Sequence, residues 1–288
     1  MRFGTMPPLR TDRRTQPTRR MNPLRQQALH ILLECNADAK AARTTALNIQ
    51  SPLDAAALLT EPPGIPGRPE RPELFAKLQF KKKPLNTVEG RAALLHTLAH
   101  IELNAIDLAL DIVWRFAGLP DAFYYQWLQI AKEEAYHFAL LRDHLRSLGY
   151  DYGDFPAHNG LWEMAEKTKH DLLARLALVP RTLEARGLDA SPPVKTKLVS
   201  AGDLRAGDIL DIILRDEIGH VAVGNHWYHT LCEQQQLDPI TSYTALAERY
   251  GAPRPRGPFN WEARRAAGFT PEELAALSTI PDAEEEPI

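Results

Sequence analysis

A 288-residue chain with 44% hydrophobic and 25% charged residues has the composition of an ordinary globular protein, with room for one large domain or two smaller ones. Its formal net charge of −3 gives no global attraction to nucleic acid or to anionic membranes. No apolar run approaches the roughly 20 residues that span a bilayer. Cys35 and Cys232 stand singly, which suits a reducing cytoplasm better than a disulfide framework.

Residues 1–22 read as a disordered basic tail: Met1 to Arg20 hold six arginines and one acidic residue, without the apolar core of a secretory signal. Residues 23–84 read as N-terminal helices and a Pro-rich connector, packed on a helical bundle. Leu24, Ala28, Ile31 and Leu32 recur at helical spacing in a first helix that reaches about Leu47. Ser51-Pro52 has the cap and first-position proline of a short second helix. From Glu61 to Pro84 the chain is rich in Pro and Gly and closes on Lys81-Lys82-Lys83, a solvated linker end that also leaves contact with phosphate open.

Residues 85–238 carry four long helices. Asn86 or Thr87 caps the first, which runs to about Phe116; the second runs from about Asp121 to Leu148. The third extends from about Leu161 to Arg186, with Pro180 forcing a kink or restart. Ala190-Ser191-Pro192-Pro193 then divides it from a short helix near Val194 to Ala201, and the fourth runs from about Asp203 to Gln236. Residues 239–288 form an extension with short helices at Tyr243–Tyr250 and Pro271–Leu277. No segment alternates with period two, so the fold class is all-α: a four-helix bundle of two hairpins joined by a longer crossover, plus peripheral helices.

Two strings in the bundle match: Glu133-Glu134-Ala135-Tyr136-His137 and Asp216-Glu217-Ile218-Gly219-His220. Residues three apart share a helix face, so each string sets a carboxylate beside an imidazole. Bundles that hold two metal ions add one inward Glu from each of the other two helices. Glu102 meets that demand on the first helix, among Leu95, Leu98, Ala105, Ile106 and Ala109, where a lone carboxylate is costly to bury. On the third helix Glu184 competes with Glu163 and Glu166, whose surroundings look solvated. Spacing selects Glu184: Glu102 to Glu134 is 32 residues and Glu184 to Glu217 is 33.

The candidate metal ligands are therefore Glu102, Glu134, His137, Glu184, Glu217 and His220. A carboxylate and imidazole set without thiolate suits two Fe ions, or alternatively Mn or mixed Fe/Mn, rather than structural zinc. Glu133 and Asp216, four residues before His137 and His220, are candidates to bond the far imidazole nitrogens, with a solvated helix face as the alternative. His96 with His100, and His226 with His229, read as packing or surface histidines. Tyr136, Tyr228, Trp114 and Trp227 read as core aromatics. Arg142, Arg181, Arg186 and Arg215 are the cations that would turn the ligand set into plain buried salt bridges.

The segment from about Glu89 to Leu231 resembles the ferritin-like superfamily. More narrowly, it resembles a bacterial ferritin-like family known only as a domain of unknown function. The likeness is carried by His100-Ile101-Glu102-Leu103-Asn104-Ala105-Ile106-Asp107, Glu133-Glu134-Ala135-Tyr136-His137-Phe138, Leu178-Val179-Pro180-Arg181, Glu184-Ala185-Arg186-Gly187-Leu188-Asp189 and Leu214-Arg215-Asp216-Glu217-Ile218-Gly219-His220-Val221-Ala222. The superfamily includes the tRNA hydroxylase acting on hypermodified adenosine, other di-iron oxygenases and iron-storing ferritins. The resemblance implies a di-iron or Fe/Mn oxidoreductase that takes dioxygen and an unknown substrate, as a cytoplasmic monomer or small homo-oligomer. Its rivals are a ferroxidase or iron-storage protein, and a non-catalytic helical binding module with a vestigial site. A nucleic-acid substrate stays open but gains nothing from the net charge.

Overall fold

The computed structural model describes residues 23–75 and 83–279. The basic tail of residues 1–22 lies outside the described residues, as do Lys81 and Lys82. The described chain is mostly helical, in line with the all-α reading.

The stretch expected as one helix up to Leu47 is two: α1 (Leu24–Leu32) and α2 (Ala37–Thr45). Asn36 makes the break, because its side chain accepts the Ala39 N–H and starts a new helix. No helix forms at Ser51-Pro52. There the Pro52 carbonyl accepts the Leu24 N–H. The carbonyls of Asp54, Ala55 and Ala57 turn to the buried Arg25 guanidinium instead. Arg25 also binds the Val113 and Trp114 carbonyls, which end the next helix without intrahelical partners.

That helix, α3 (Val88–Arg115), starts on Thr87, whose hydroxyl accepts the Gly90 N–H. It packs along α4 (Asp121–Ser147). The connector contributes a short strand, β1 (Leu74–Phe75), paired in parallel with β2 (Ala157–His158) in the loop after α4. Two residues per strand are too few to show the alternation by which strands are read in a sequence.

The expected third helix is a succession of α5 (Gly160–Lys167), α6 (Leu172–Leu178), a π-helical turn (Val179–Glu184) and α7 (Ala185–Ser200). Asp171 caps α6 by accepting the Ala174 N–H. Pro180 does not restart the helix but sits within the π-turn. The Ala185 N–H reaches back five residues to the Pro180 carbonyl, and the Thr182 hydroxyl to that of Ala177 at 2.9 Å, which widens the turn. Pro192 and Pro193 lie inside α7 rather than dividing it. Pro192 has no N–H for the Leu188 carbonyl, and the Asn260 amide donates to that oxygen at 3.2 Å instead.

The last long helix, α8 (Leu204–Gln234), packs against α4, α6 and α7. A Cβ added at Gly224 would lie 2.6 Å from the Pro180 Cβ, so glycine there lets α8 close on the π-turn. The chain then adds α9 (Pro239–Tyr250), α10 (Trp261–Ala266) and α11 (Pro271–Ser278). Among the described residues no helix is long and apolar enough to cross a membrane.

Candidate metal centre

Glu102 on α3, Glu134 and His137 on α4, and Glu217 on α8 converge in the interior. One donor atom from each lies within 4.8 Å of all the others. Three of the four are less than 5% exposed and Glu217 is 8% exposed. His220, 1% exposed, sets Nδ1 at 2.9 Å from Glu134 Oε1 and 3.8 Å from Glu217 Oε1. His137 Nδ1 stands 3.3 Å from Glu102 Oε2 and 3.4 Å from Glu134 Oε2. Glu134 thus lies between the two imidazoles. Glu184, the final residue of the π-turn, is half-buried, and the charges of Glu217 and Glu134 act on its carboxyl.

The far nitrogens of both rings are held in a crossed pattern. Asp216 on α8 meets His137 Nε2 at 3.0 Å, and Glu133 on α4 meets His220 Nε2 at 2.8 Å. Each acid serves the histidine of the opposite helix, not the one four residues on. The reason is directional: Nδ1 of each ring points into the cluster, so Nε2 points across the α4–α8 contact. In the neutral ring, Nε2–H donates outward and Nδ1 keeps a lone pair facing the carboxylates.

Five inward atoms have no hydrogen-bond partner: Glu102 Oε2, Glu134 Oε1, Glu184 Oε2, Glu217 Oε2 and His220 Nδ1. His220 Nδ1 and Glu134 Oε1 are close, but the ring geometry is wrong for a hydrogen bond. Among the described residues no Lys or Arg nitrogen lies within ion-pair distance of these four glutamates. Arg142 pairs with Asp151, Arg181 with Glu273 and Arg215 with Asp216, while Arg186 is exposed and pairs with none of them. Unpartnered buried carboxylates cost several kcal/mol each. Without cations the group must take up protons. Burial, aided by the Glu134 charge, raises Glu102 and Glu217 above the usual carboxylate range, and burial with the Glu217 and Glu134 charges raises Glu184. Burial opposes the charged form of His137, but Glu102 and Glu134 outweigh it and lift the imidazole to about 11. Burial opposes the charged form of Glu134 too, but His220 and His137 outweigh it and hold its carboxyl low.

This donor set fits a pair of divalent cations. Four carboxylates carry four negative charges, two divalent ions carry four positive ones, and both imidazoles can then stay neutral. Every unpartnered atom is a carboxylate oxygen or an imidazole nitrogen, the ligands that iron and manganese accept.

A cavity of about 460 Å³ adjoins the cluster, and Glu102, Glu184 and Glu217 form part of its wall. Its apolar lining includes Leu98, Ile101, Met164, Leu183, Leu210 and Ile213. In the sequence these residues pass for ordinary core, although a signal is present. Leu98 precedes Glu102 by four residues, while Leu210 and Ile213 precede Glu217 by seven and four, on the same helix faces. Glu163, which spacing excludes as a ligand, is exposed at the mouth of this cavity.

The remaining histidines serve other ends. His100 bonds the Tyr152 hydroxyl and the His158 carbonyl, both at 2.8 Å, and His96 Nε2 accepts the Gly153 N–H at 2.9 Å. Together they fasten the loop after α4. His229 pairs with Glu273 at 2.9 Å, and His226 is exposed. Tyr136 is exposed rather than core. Tyr228 and Trp114 are buried and bonded to the Pro239 carbonyl and to Asp111; Trp227 is buried too and bonds Gln126.

A family profile described as "Protein of unknown function (DUF455)" matches residues 28–275. The chain is also 52% identical over 213 residues to an "Uncharacterized protein" of Haemophilus influenzae, covering 72% of this chain and 74% of the relative. No solved structure matches.

Proposed function

Because the chain belongs to the DUF455 family, whose description names no activity, we propose its function from the site itself: a ferritin-like di-metal oxidoreductase. In this reading Glu102, Glu134, His137, Glu184, Glu217 and His220 hold two iron or manganese ions. The observation that carries it is the cluster of unpartnered buried carboxylates faced by two imidazole nitrogens, with no lysine or arginine among the described residues within ion-pair distance.

When bound, two reduced ions would supply electrons to dioxygen and so activate it as the oxidant of a substrate. The protein's own part is positioning. Asp216 and Glu133 fix the tautomer and the plane of each imidazole, so that both Nδ1 atoms face inward before any ligand arrives. Gly224 lets α8 close on the π-turn. π-turns often mark functional sites, and the one here ends on Glu184. The adjoining cavity favours an organic substrate over iron storage, because much of its wall beyond the cluster is apolar.

Metal analysis of protein purified without chelators tests the reading, together with oxygen consumption by the ferrous form. About two Fe or Mn per chain and oxygen uptake tied to a bound organic compound are expected. A folded protein that stays metal-free when offered Fe(II) or Mn(II) sinks it. Loading far beyond two irons per chain transfers the assignment to storage.

A further inference from the structure

The 460 Å³ cavity has a built-in polarity. Its inner end holds the buried Glu102, Glu217, Met164, Leu210 and Ile213, whereas Glu163, Lys167 and Arg186 are exposed and mark the mouth. Lys167 and Arg186 make no ion pair or side-chain hydrogen bond among the described residues. Other exposed cations, among them Lys197, Arg205 and Arg265, are unpaired too, but these two line the cavity. Glu163 stands four residues from Lys167 on α5, yet the two do not pair. Arg186 also sits close enough to His158, another wall residue, to join burial in lowering its imidazole pKa. Two free cations against one acid leave the mouth positive, while Leu98, Ile101, Leu210 and Ile213 make the wall behind it apolar.

We infer that the cavity binds an amphipathic anion. Its apolar body lies along Leu98, Ile101 and Ile213, and its single terminal carboxylate or phosphate stays at the mouth between Lys167 and Arg186. The reverse orientation would take the anion out of water and away from both cations while leaving the apolar body at the wet mouth. The volume holds about 15 water-sized groups at roughly 30 Å³ each, enough for a medium-length aliphatic or aromatic body but not a folded macromolecule. The inference rests on the oxidoreductase reading only in taking this ligand for the substrate, whose apolar end faces the cluster.

The test is a fluorescence titration of the full chain, metal-free and Mn(II)-loaded, with cis-parinaric acid. This linear polyene acid brightens in apolar surroundings. Its methyl ester is the control. The acid is expected to bind about tenfold more tightly than the ester, the ratio that roughly 1.4 kcal/mol of charge recognition produces. The double substitution Lys167→Glu with Arg186→Glu should erase that preference and leave ester binding unchanged. Glu163→Gln should tighten acid binding, and Leu210→Trp should block both probes. Competition by dodecanoate and by dodecyl phosphate identifies the preferred anion. Equal binding of acid and ester overturns the inference, as does indifference to charge reversal or failure of either probe to bind. Metal without probe binding defeats this inference alone; probe binding without metal defeats the di-metal reading alone.

Discussion

Helix α3 carries three buried acids that are treated in opposite ways. Asp107 meets the Lys40 ammonium at 2.5 Å. Asp111 is held by Arg115 at 2.8 Å, by Arg175, and by the Trp114 indole at 3.1 Å. Five residues before Asp107, Glu102 has the His137 imidazole at 3.3 Å in place of a Lys or Arg, and leaves one oxygen unpartnered. The Asp107 and Asp111 pairs complete their charge balance from within the chain. The Glu102 cluster does not. A fold that supplies cations to two acids on one helix and withholds them from the third has left room for a cation from outside.

Four measurements put this contrast at risk. The greatest loss should come from the paired region. Lys40→Met strands the Asp107 carboxylate and should cost about 3–5 kcal/mol, seen as a lowered urea midpoint. Glu102→Gln, by contrast, should leave the metal-free protein as stable or more so, since it removes a charge that burial already opposes. Equal losses from the two changes would refute the contrast. Next, Mn(II) at a hundred times its dissociation constant should stabilise the wild type by about 2.7 kcal/mol in thermal melts. The gain should vanish in Glu134→Gln and persist in Lys40→Met.

A smaller change is expected from Asp216→Asn. Loss of the carboxylate behind His137 should weaken metal binding about 10- to 100-fold by competition titration, while ligand count stays the same. An unaltered affinity would show that the crossed acids do not matter to the site. The least change concerns His96 and His100, which burial lowers to a pKa of about 4, with Asp154 pulling His96 upward and the charges of His158 and Arg68 pushing His100 down. A folded pKa below the unfolded value means that the folded state binds fewer protons, so stability falls as pH drops from 6.5 towards 4. Each histidine should cost about 1 kcal/mol between pH 7.5 and pH 6. The His96→Gln variant should therefore draw closer to the wild type in stability as pH falls. Parallel curves would show that His96 titrates normally.

The residues reveal whatever a single helix encodes. The Glu-x-x-His spacing, the apolar stripe around Glu102 and the matching 32- and 33-residue offsets are properties of a 3.6-residue period. They need no knowledge of packing. Helices escape such a reading where a distant group settles the outcome. Arg25 claims the carbonyls of the loop expected as a helix at Ser51-Pro52, and Asn260 repairs the gap that Pro192 leaves in α7. The strands Leu74–Phe75 and Ala157–His158 lie more than 80 residues apart and have no local pattern at all.

The same division runs through the candidate site. Which side chains share a helix face, Glu134 with His137 and Glu217 with His220, is set by sequence, because backbone periodicity is local. That Asp216 reaches His137 and Glu133 reaches His220, across 79 and 87 residues, depends on tertiary packing. So does the π-turn at Pro180 under Gly224, and so does the opening of the acid cluster onto an apolar cavity. Those outcomes come from how helices pack and from which polar groups packing leaves unpaired, and neither is written within any one turn of helix.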